Sequence, residues 1–251
     1  MKILVIGDSC EDVFIYGDIE RIAPEAPVPV LVPVEKKSNP GMAGNVVANL
    51  KALGATVDLI TNKESIRKIR YVDERYNQMV LRVDENDECM PIDFNEDWQN
   101  CINTDFDLEY DAIVVSDYDK GFLTLYDIAH IGKKAKCPTF LDTKKELGSW
   151  CKGMDYIKIN HLEYQKNSKQ LSEYPNLHKQ LIVTKGKHGC EYQGRMYATT
   201  DVPVKDVSGA GDTFLAGLVY EYINTNNIDK AIQFAQECTT IVVQKQGVAT
   251  V

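Results

Sequence analysis

A chain of 251 residues, 44% hydrophobic and 26% charged, is long enough to bury a full core, so disorder is not the default. Its formal net charge of −9 opposes any broad surface for nucleic acid or acidic membrane. An anionic ligand must therefore be held locally, by backbone N–H groups, a helix N-terminus, a few basic side chains or a metal ion.

Residues 2–7 read as a buried parallel strand, with the apolar run Ile3-Leu4-Val5-Ile6 closed by the polar end Gly7-Asp8. That run is too short for the core of a secretory signal and no later stretch approaches a membrane span, so a cytoplasmic location is expected. From 13 to 35, Pro24, Pro27, Pro29 and Pro33 exclude a helix while Val28, Val30, Val32 and Val34 alternate, which predicts an exposed or edge β-ribbon. Pro40-Gly41-Met42-Ala43-Gly44 leads into a helical pattern over 45–53 that Gly54 stops, and a strand follows at 56–60. A second extended pair within 67–84 is suited to join the first ribbon in one small sheet.

Strand-like runs recur at 112–116, 138–142, 156–160 and 181–184, each ending in a polar residue, with helical or loop segments between them. A hairpin around Gly194, a glycine-rich turn at 208–211 and helices near 211–225 and 228–245 complete the chain. No repeat or linker divides it, so 1–251 is expected to be a single domain. The seven cysteines contain no Cys-x-x-Cys pair and the four histidines lack metal-ligand spacing, so the cysteines read as reduced thiols and neither set as a zinc site.

The most informative stretch is Asp206-Val207-Ser208-Gly209-Ala210-Gly211-Asp212-Thr213-Phe214. Small residues let the backbone approach a ligand closely, and the helix that follows points its first N–H groups and positive dipole end at that turn, a place suited to phosphate. A carboxylate opening the same helix can accept the proton of an attacking hydroxyl. For an isolated Gly-x-Gly-Asp, plain helix capping is the commoner role. The full string, however, resembles the C-terminal signature of the ribokinase-like (PfkB) carbohydrate kinases. The resemblance runs over nearly the whole chain and is most marked for the D-glycero-β-D-manno-heptose 7-phosphate kinase branch. It is carried by Gly7-Asp8 with Asp12, by Tyr16-Gly17-Asp18 and 21–30, by Pro40 to Asn45, by Asn77 to Asp84, and by Ser116-Asp117-Tyr118-Asp119-Lys120-Gly121.

The resemblance implies a three-layer α/β/α sandwich with a mostly parallel central sheet and a small β-sheet lid, formed by about 13–35 and 67–84. It implies transfer of the ATP γ-phosphate to a sugar hydroxyl with Mg²⁺, and it makes the neighbourhood of Asp206 a candidate place for a monovalent cation. Asp212 is then the base, and the amides of Gly209, Ala210 and Gly211 the anion hole. Asp12 and Asn45 are expected to hydrogen-bond sugar hydroxyls, with Gly41 and Gly44 making room for the ring; a carboxylate and an amide supply the acceptors and donors that a polyol requires. The alternatives are a loop carboxylate for Asp12 and a helix cap for Asn45.

Asn160 and Glu163 match the family's Asn-x-x-Glu element, whose acid organises Mg²⁺ through water, although four-residue patterns also occur at ordinary helix starts. Thr184-Lys185-Gly186 and Gly189 match its nucleotide-phosphate turn, with Lys185 as a plain surface lysine the rival reading. Lys144 keeps its place after Asp142-Thr143, where the branch usually has Asp-Pro-Lys, and is expected at the substrate. Gln236 lies where an Asn-Ala-Ala-like segment often lines the adenine pocket, which leaves nucleotide preference open. Arg21, Lys68, Arg70 and Arg82 are candidate partners of a substrate phosphate, against ordinary solvation of a charged ribbon.

After Asn62 the chain passes almost directly to the second lid strand, so a Gly-Asp element, a helix and an edge strand of the family are missing and a trimmed sheet edge is expected. The acceptor is expected to be the heptose 7-phosphate at its anomeric position, with another sugar as runner-up. A non-catalytic sugar- or nucleotide-binding sensor is the reading from another class. Small-molecule partners and a homodimer through the lid ribbon are expected, because unpaired edge strands invite pairing.

Overall fold

The computed structural model describes residues 1–92 and 110–251; Cys101 lies outside them. The apolar runs become strands of one eight-stranded sheet: β1 (Lys2–Gly7), β4 (Thr56–Ile60), β7 (Ala112–Asp117), β8 (Thr139–Thr143), β9 (Tyr156–Asn160), β10 (Leu181–Thr184), β11 (Cys190–Tyr192) and β12 (Arg195–Tyr197). Their order is β12-β11-β10-β9-β8-β7-β1-β4, and all neighbours from β10 to β4 are parallel, with the hairpin antiparallel at the far edge. Nothing among the described residues pairs beyond β4, in keeping with the trimmed edge expected there.

Alternation along the strands makes two cores. Ile3, Val5, Ala112, Val114 and Phe140 pack under α1 (Ala43–Ala52), α5 (Ala210–Thr225) and α6 (Ile228–Val242). Leu4, Ile6, Ile113, Val115 and Leu141 face the opposite layer, with α2 (Leu125–Lys134) and, after the short α3 (His161–Lys166), α4 (Ser168–Glu173). Strands covered on both faces read as continuous apolar runs, which is why their positions were visible in the sequence. The polar residues closing these runs, Asp8, Asp117, Asp142, Asn160 and Thr184, gather at one edge of the sheet, where ligands of open α/β folds bind.

The lid is a second sheet of four strands in the order β3-β2-β5-β6, from β2 (Ser9–Ile22), β3 (Pro29–Met42), β5 (Arg67–Asp73) and β6 (Gln78–Glu85). The two extended regions do join in one sheet, through a parallel β2–β5 pairing, although the first ribbon begins earlier and ends later than its prolines suggested. Pro33 and Pro40 are accommodated because β3 is an edge strand, where a missing N–H costs no ladder bond. Among the described residues no helix is long and apolar enough to cross a membrane and no disulfide forms.

Candidate active site

The turn before α5 is built around Gly209, whose φ of 77° is left-handed and whose missing Cβ would stand 2.5 Å from Asn45 Nδ2. Glycine meets both demands at once. The helix then starts at Ala210, so the amides of Gly209, Ala210 and Gly211 lie at its N-terminus and Asp212 falls in its first turn. Asp212 is 4% exposed, accepts from Asn45 Nδ2 at 3.0 Å through Oδ2, and accepts from the Tyr118 hydroxyl at 2.5 Å through Oδ1. Burial pushes its carboxyl up to about 6, against the two hydrogen bonds, which favour the ion. A carboxylate with that affinity for protons is ionised at neutral pH yet able to take a proton from a hydroxyl.

Asn45 is positioned in turn. Its Nδ2 also lies 3.4 Å from the Gly209 carbonyl, and Asn49 donates to its carbonyl and side-chain oxygens at 2.9 and 3.0 Å. Asp12 is 6% exposed, projects from β2 and is ion-paired with Arg70 across the β2–β5 pairing. Gly41 leaves space that Asp12 fills, since a Cβ there would come within 2.1 Å of Asp12 Oδ2. Gly44 lies in the first turn of α1, where a Cβ would stand 3.0 Å from Pro40.

A cavity of about 120 Å³ is lined by Thr184, Gly186, Gly189, Ala210, Gly211, Phe214 and Gln236, together with Thr199 and Thr239, which the sequence did not single out. It shares Gly186, Thr199, Ala210 and Thr239 with a more apolar cavity of about 190 Å³ walled by Val202, Val204, Val207 and Val243. Gln236 donates through Nε2 to the Tyr197 carbonyl at 3.1 Å, which leaves its buried Oε1 without a partner among the described residues. Lys185 is not brought to these cavities: its ammonium pairs with Glu191 at 2.5 Å and lines a separate cavity beside Tyr164 and His178.

Asn160 and Glu163 form the capping box of α3, with Glu163 accepting from the Asn160 N–H at 2.7 Å through Oε2. The other oxygen, Oε1, accepts from Lys144 at 2.6 Å. Lys144 also reaches Asp142 at 3.5 Å; burial lowers its proton affinity, but Asp142 and Glu163 more than reverse this and hold it charged. Lys158, a buried lysine within β9, pairs with Asp142 at 2.6 Å and lies beside Gly211. Burial pushes Asp142 up, yet Lys158 and Lys144 outweigh it and bring the carboxyl below its ordinary value. Asp206 accepts from Ser208 N–H at 2.8 Å and Gly247 N–H at 3.1 Å, which fixes the turn.

A third cavity, of about 420 Å³, separates the inner face of the lid, with Phe14, Tyr16, Arg70 and Arg82, from the turn at Asp206 to Ser208. On that face Arg70 pairs with Asp12, and Arg82 holds Asp84 through two bonds of 2.7 Å. Lys68, on the same face of β5, is 7% exposed and has no ion pair among the described residues; its ammonium rests 5.2 Å from the centroid of the Tyr118 ring. Burial lowers its proton affinity. Arg21 is exposed near the lid tip.

Among the described residues no three His, Cys, Asp or Glu are grouped to hold a metal. Both oxygens of Glu163 already accept hydrogen bonds, so this acid would hold a Mg²⁺ through water rather than as a direct ligand.

The chain matches the model of the pfkB family of carbohydrate kinases over residues 61–251. It is similar to proteins named bifunctional protein HldE, with 32% identity to that of a Nitratiruptor species and 31% to that of Aliarcobacter butzleri. Each alignment takes in 99% of this chain and 63% or 62% of the relative, so the chain spans about three fifths of the length of these curated relatives. Among solved structures, phosphofructokinase-2 from Escherichia coli in complex with potassium aligns with a TM-score of 0.74 at 12% identity, covering 98% of this chain and 94% of that one. Ribokinase from Thermotoga maritima gives 0.70 at 17% with the same coverage, which establishes a ribokinase-like fold. The matched segment takes in the turn at Gly209 to Gly211, Asp212 and the cavities beside α5 and α6, and with it this chain belongs to the pfkB family of carbohydrate kinases, phosphotransferases acting on sugar hydroxyls.

Proposed function

We propose that the acceptor is a sugar that already carries a phosphate, D-glycero-D-manno-heptose 7-phosphate, phosphorylated at its anomeric hydroxyl with ATP as donor. The observation that carries the phosphorylated acceptor is the charge balance of the lid's inner face. Four bases, Lys37, Lys68, Arg70 and Arg82, meet three acids, Glu35, Asp12 and Asp84, and the cation left without an ion pair among the described residues is the buried Lys68. A buried ammonium without a counter-ion is costly, and an anion that arrives with the substrate removes that cost. The heptose assignment itself draws on the likeness to the HldE proteins, whose full length this chain does not span.

In this reading the sugar lies between the lid and the turn at Asp206 to Ser208, with Asp12 and Asn45 on its hydroxyls. The triphosphate lies along the strand ends toward Gly209, Ala210 and Gly211, and the base occupies the paired cavities near Gln236. Asp212 takes the proton of the attacking hydroxyl as its oxygen bonds to the γ-phosphorus and the bond to the β-phosphate oxygen breaks. The amides of the turn stabilise charge on the migrating phosphoryl group, and the lid excludes water as a competing acceptor. Mg²⁺, when bound, neutralises charge on the phosphates. A single domain over 1–251 and a homodimer formed through the lid belong to the same proposal.

The test is ADP release measured across a panel of sugars in phosphorylated and unphosphorylated form. We expect kcat/KM for heptose 7-phosphate to exceed that for the free heptose by at least about 100-fold, the size of a charge-assisted contact set. Equal turnover of the two would remove the phosphate requirement, and turnover of no sugar would favour a binding protein without catalysis.

A further inference from the structure

Tyr118 has no part in the steps above, although the string from Ser116 to Gly121 sets it apart in the sequence. Its backbone is fixed on every side. The Tyr118 N–H donates to the buried Asp8 at 2.6 Å, the preceding Asp117 is held by Lys145 at 2.6 Å and by the Thr143 hydroxyl, and the following Asp119 turns the chain at a φ of 58°. The ring packs against Cys10, Met42 and Ile66, and two ammonium groups stand 5.2 Å from its centroid, Lys68 from the lid and Lys144 from the core. So constrained, the ring delivers its hydroxyl to Asp212 Oδ1 at 2.5 Å.

We propose that Tyr118 is the positioning residue of the base: its hydroxyl donates to Asp212 Oδ1 while Asn45 donates to Oδ2, and the two together hold the carboxylate ionised and in place to receive the acceptor's proton. This rests on the reading of Asp212 as base. Each carboxylate oxygen can accept more than one hydrogen bond, so Oδ2 keeps a site for the substrate hydroxyl while Asn45 Nδ2 donates to it at 3.0 Å. Burial and the neighbouring Asp212 push the phenol well above its ordinary value, so Tyr118 remains a donor throughout the working range and cannot itself take the proton. The hydrogen bond favours the ionised carboxylate and opposes the burial that raises it. The other groups facing Asp212 are Asn45 of α1, Cys10 of β2, Asp142 and Lys144 at the end of β8, and Lys158 of β9.

The experiment is kcat against pH from 5 to 9 for wild type and Tyr118→Phe, with saturating ATP, Mg²⁺ and the best acceptor from the panel. Without the donor the carboxyl binds protons more tightly, so the acid limb moves upward by roughly one pH unit and kcat at pH 6 falls about fivefold, with the gap narrowing toward pH 9. Titration of the substrates is common to both proteins, so the difference reports the enzyme. A uniform loss of kcat with an unmoved limb would assign Tyr118 to packing alone and overturn the proposal. If the phenylalanine variant does not fold, 3-fluorotyrosine at 118, a stronger donor of nearly the same size, moves the limb downward instead, and an unmoved limb there has the same negative meaning. Asp212→Asn separates the two readings: full turnover by it removes the base, whereas an inactive Asp212→Asn with an unmoved Tyr118→Phe limb removes only the role of Tyr118.

Discussion

Asp212 is a carboxylate kept where water would not put it. Its proton affinity rises from an ordinary 3.8 to about 6 because the group is buried, so the folded state holds a proton more tightly than the unfolded chain does. The sign follows: the burial costs nothing below the unfolded value, the penalty grows as pH rises from about 4 to about 6, and above that it is constant. Asp212→Asn should therefore abolish turnover and yet stabilise the protein at pH 8 by about 1–3 kcal/mol, an advantage that fades toward pH 4. Thermal melting at both pH values checks this, and a variant no more stable than wild type at pH 8 would contradict the burial of a charged base. Such trades of stability for chemistry are common at active sites.

At the scale of elements, the start of α5 concentrates the requirements. Gly209→Ala forces a side chain into a left-handed conformation and against Asn45 Nδ2, so we expect a loss of about 1–2 kcal/mol in stability and at least a tenfold fall in kcat, because the displaced Asn45 holds the base. Denaturant melts and steady-state rates measure the two effects, and an unchanged kcat would show that Asn45 does not set the base. That turn was legible because its residue types are local: glycines at the bend and an acid one turn into the helix. The strands were legible for a similar reason, as apolar runs with a polar end. Lys158 was not, since in Tyr-Ile-Lys-Ile-Asn it is one polar residue within a strand, and only the neighbouring β8 reveals Asp142 beside it. The contact of Tyr118 with Asp212 spans 94 positions, beyond the reach of any spacing rule. Lys185 shows the converse, because a strand end places the residue but leaves the side chain free to turn toward Glu191.

Across the whole molecule, exposed apolar side chains collect on the lid, among them Val32 and Val34 of β3 and Leu81 of β6, each more than half exposed. Such a surface invites a second copy. We expect light scattering to give about twice the chain mass of 28.3 kDa, and Val34→Glu with Leu81→Glu to return the monomer; a wild-type monomer at working concentration would remove this expectation. The lid is also joined to the core at both ends of its first ribbon without slack. Ser9 opens β2 two positions after β1 ends at Gly7, and β3 runs through Met42 straight into α1 at Ala43, the helix whose first turn carries Asn45. Met42 itself is held at a φ of 55°, a conformation with little freedom to absorb movement. No loop therefore lies between the ribbon and the helix that carries Asn45, so the inner edge of the lid and the residue that donates to Asp212 share one continuous stretch of backbone.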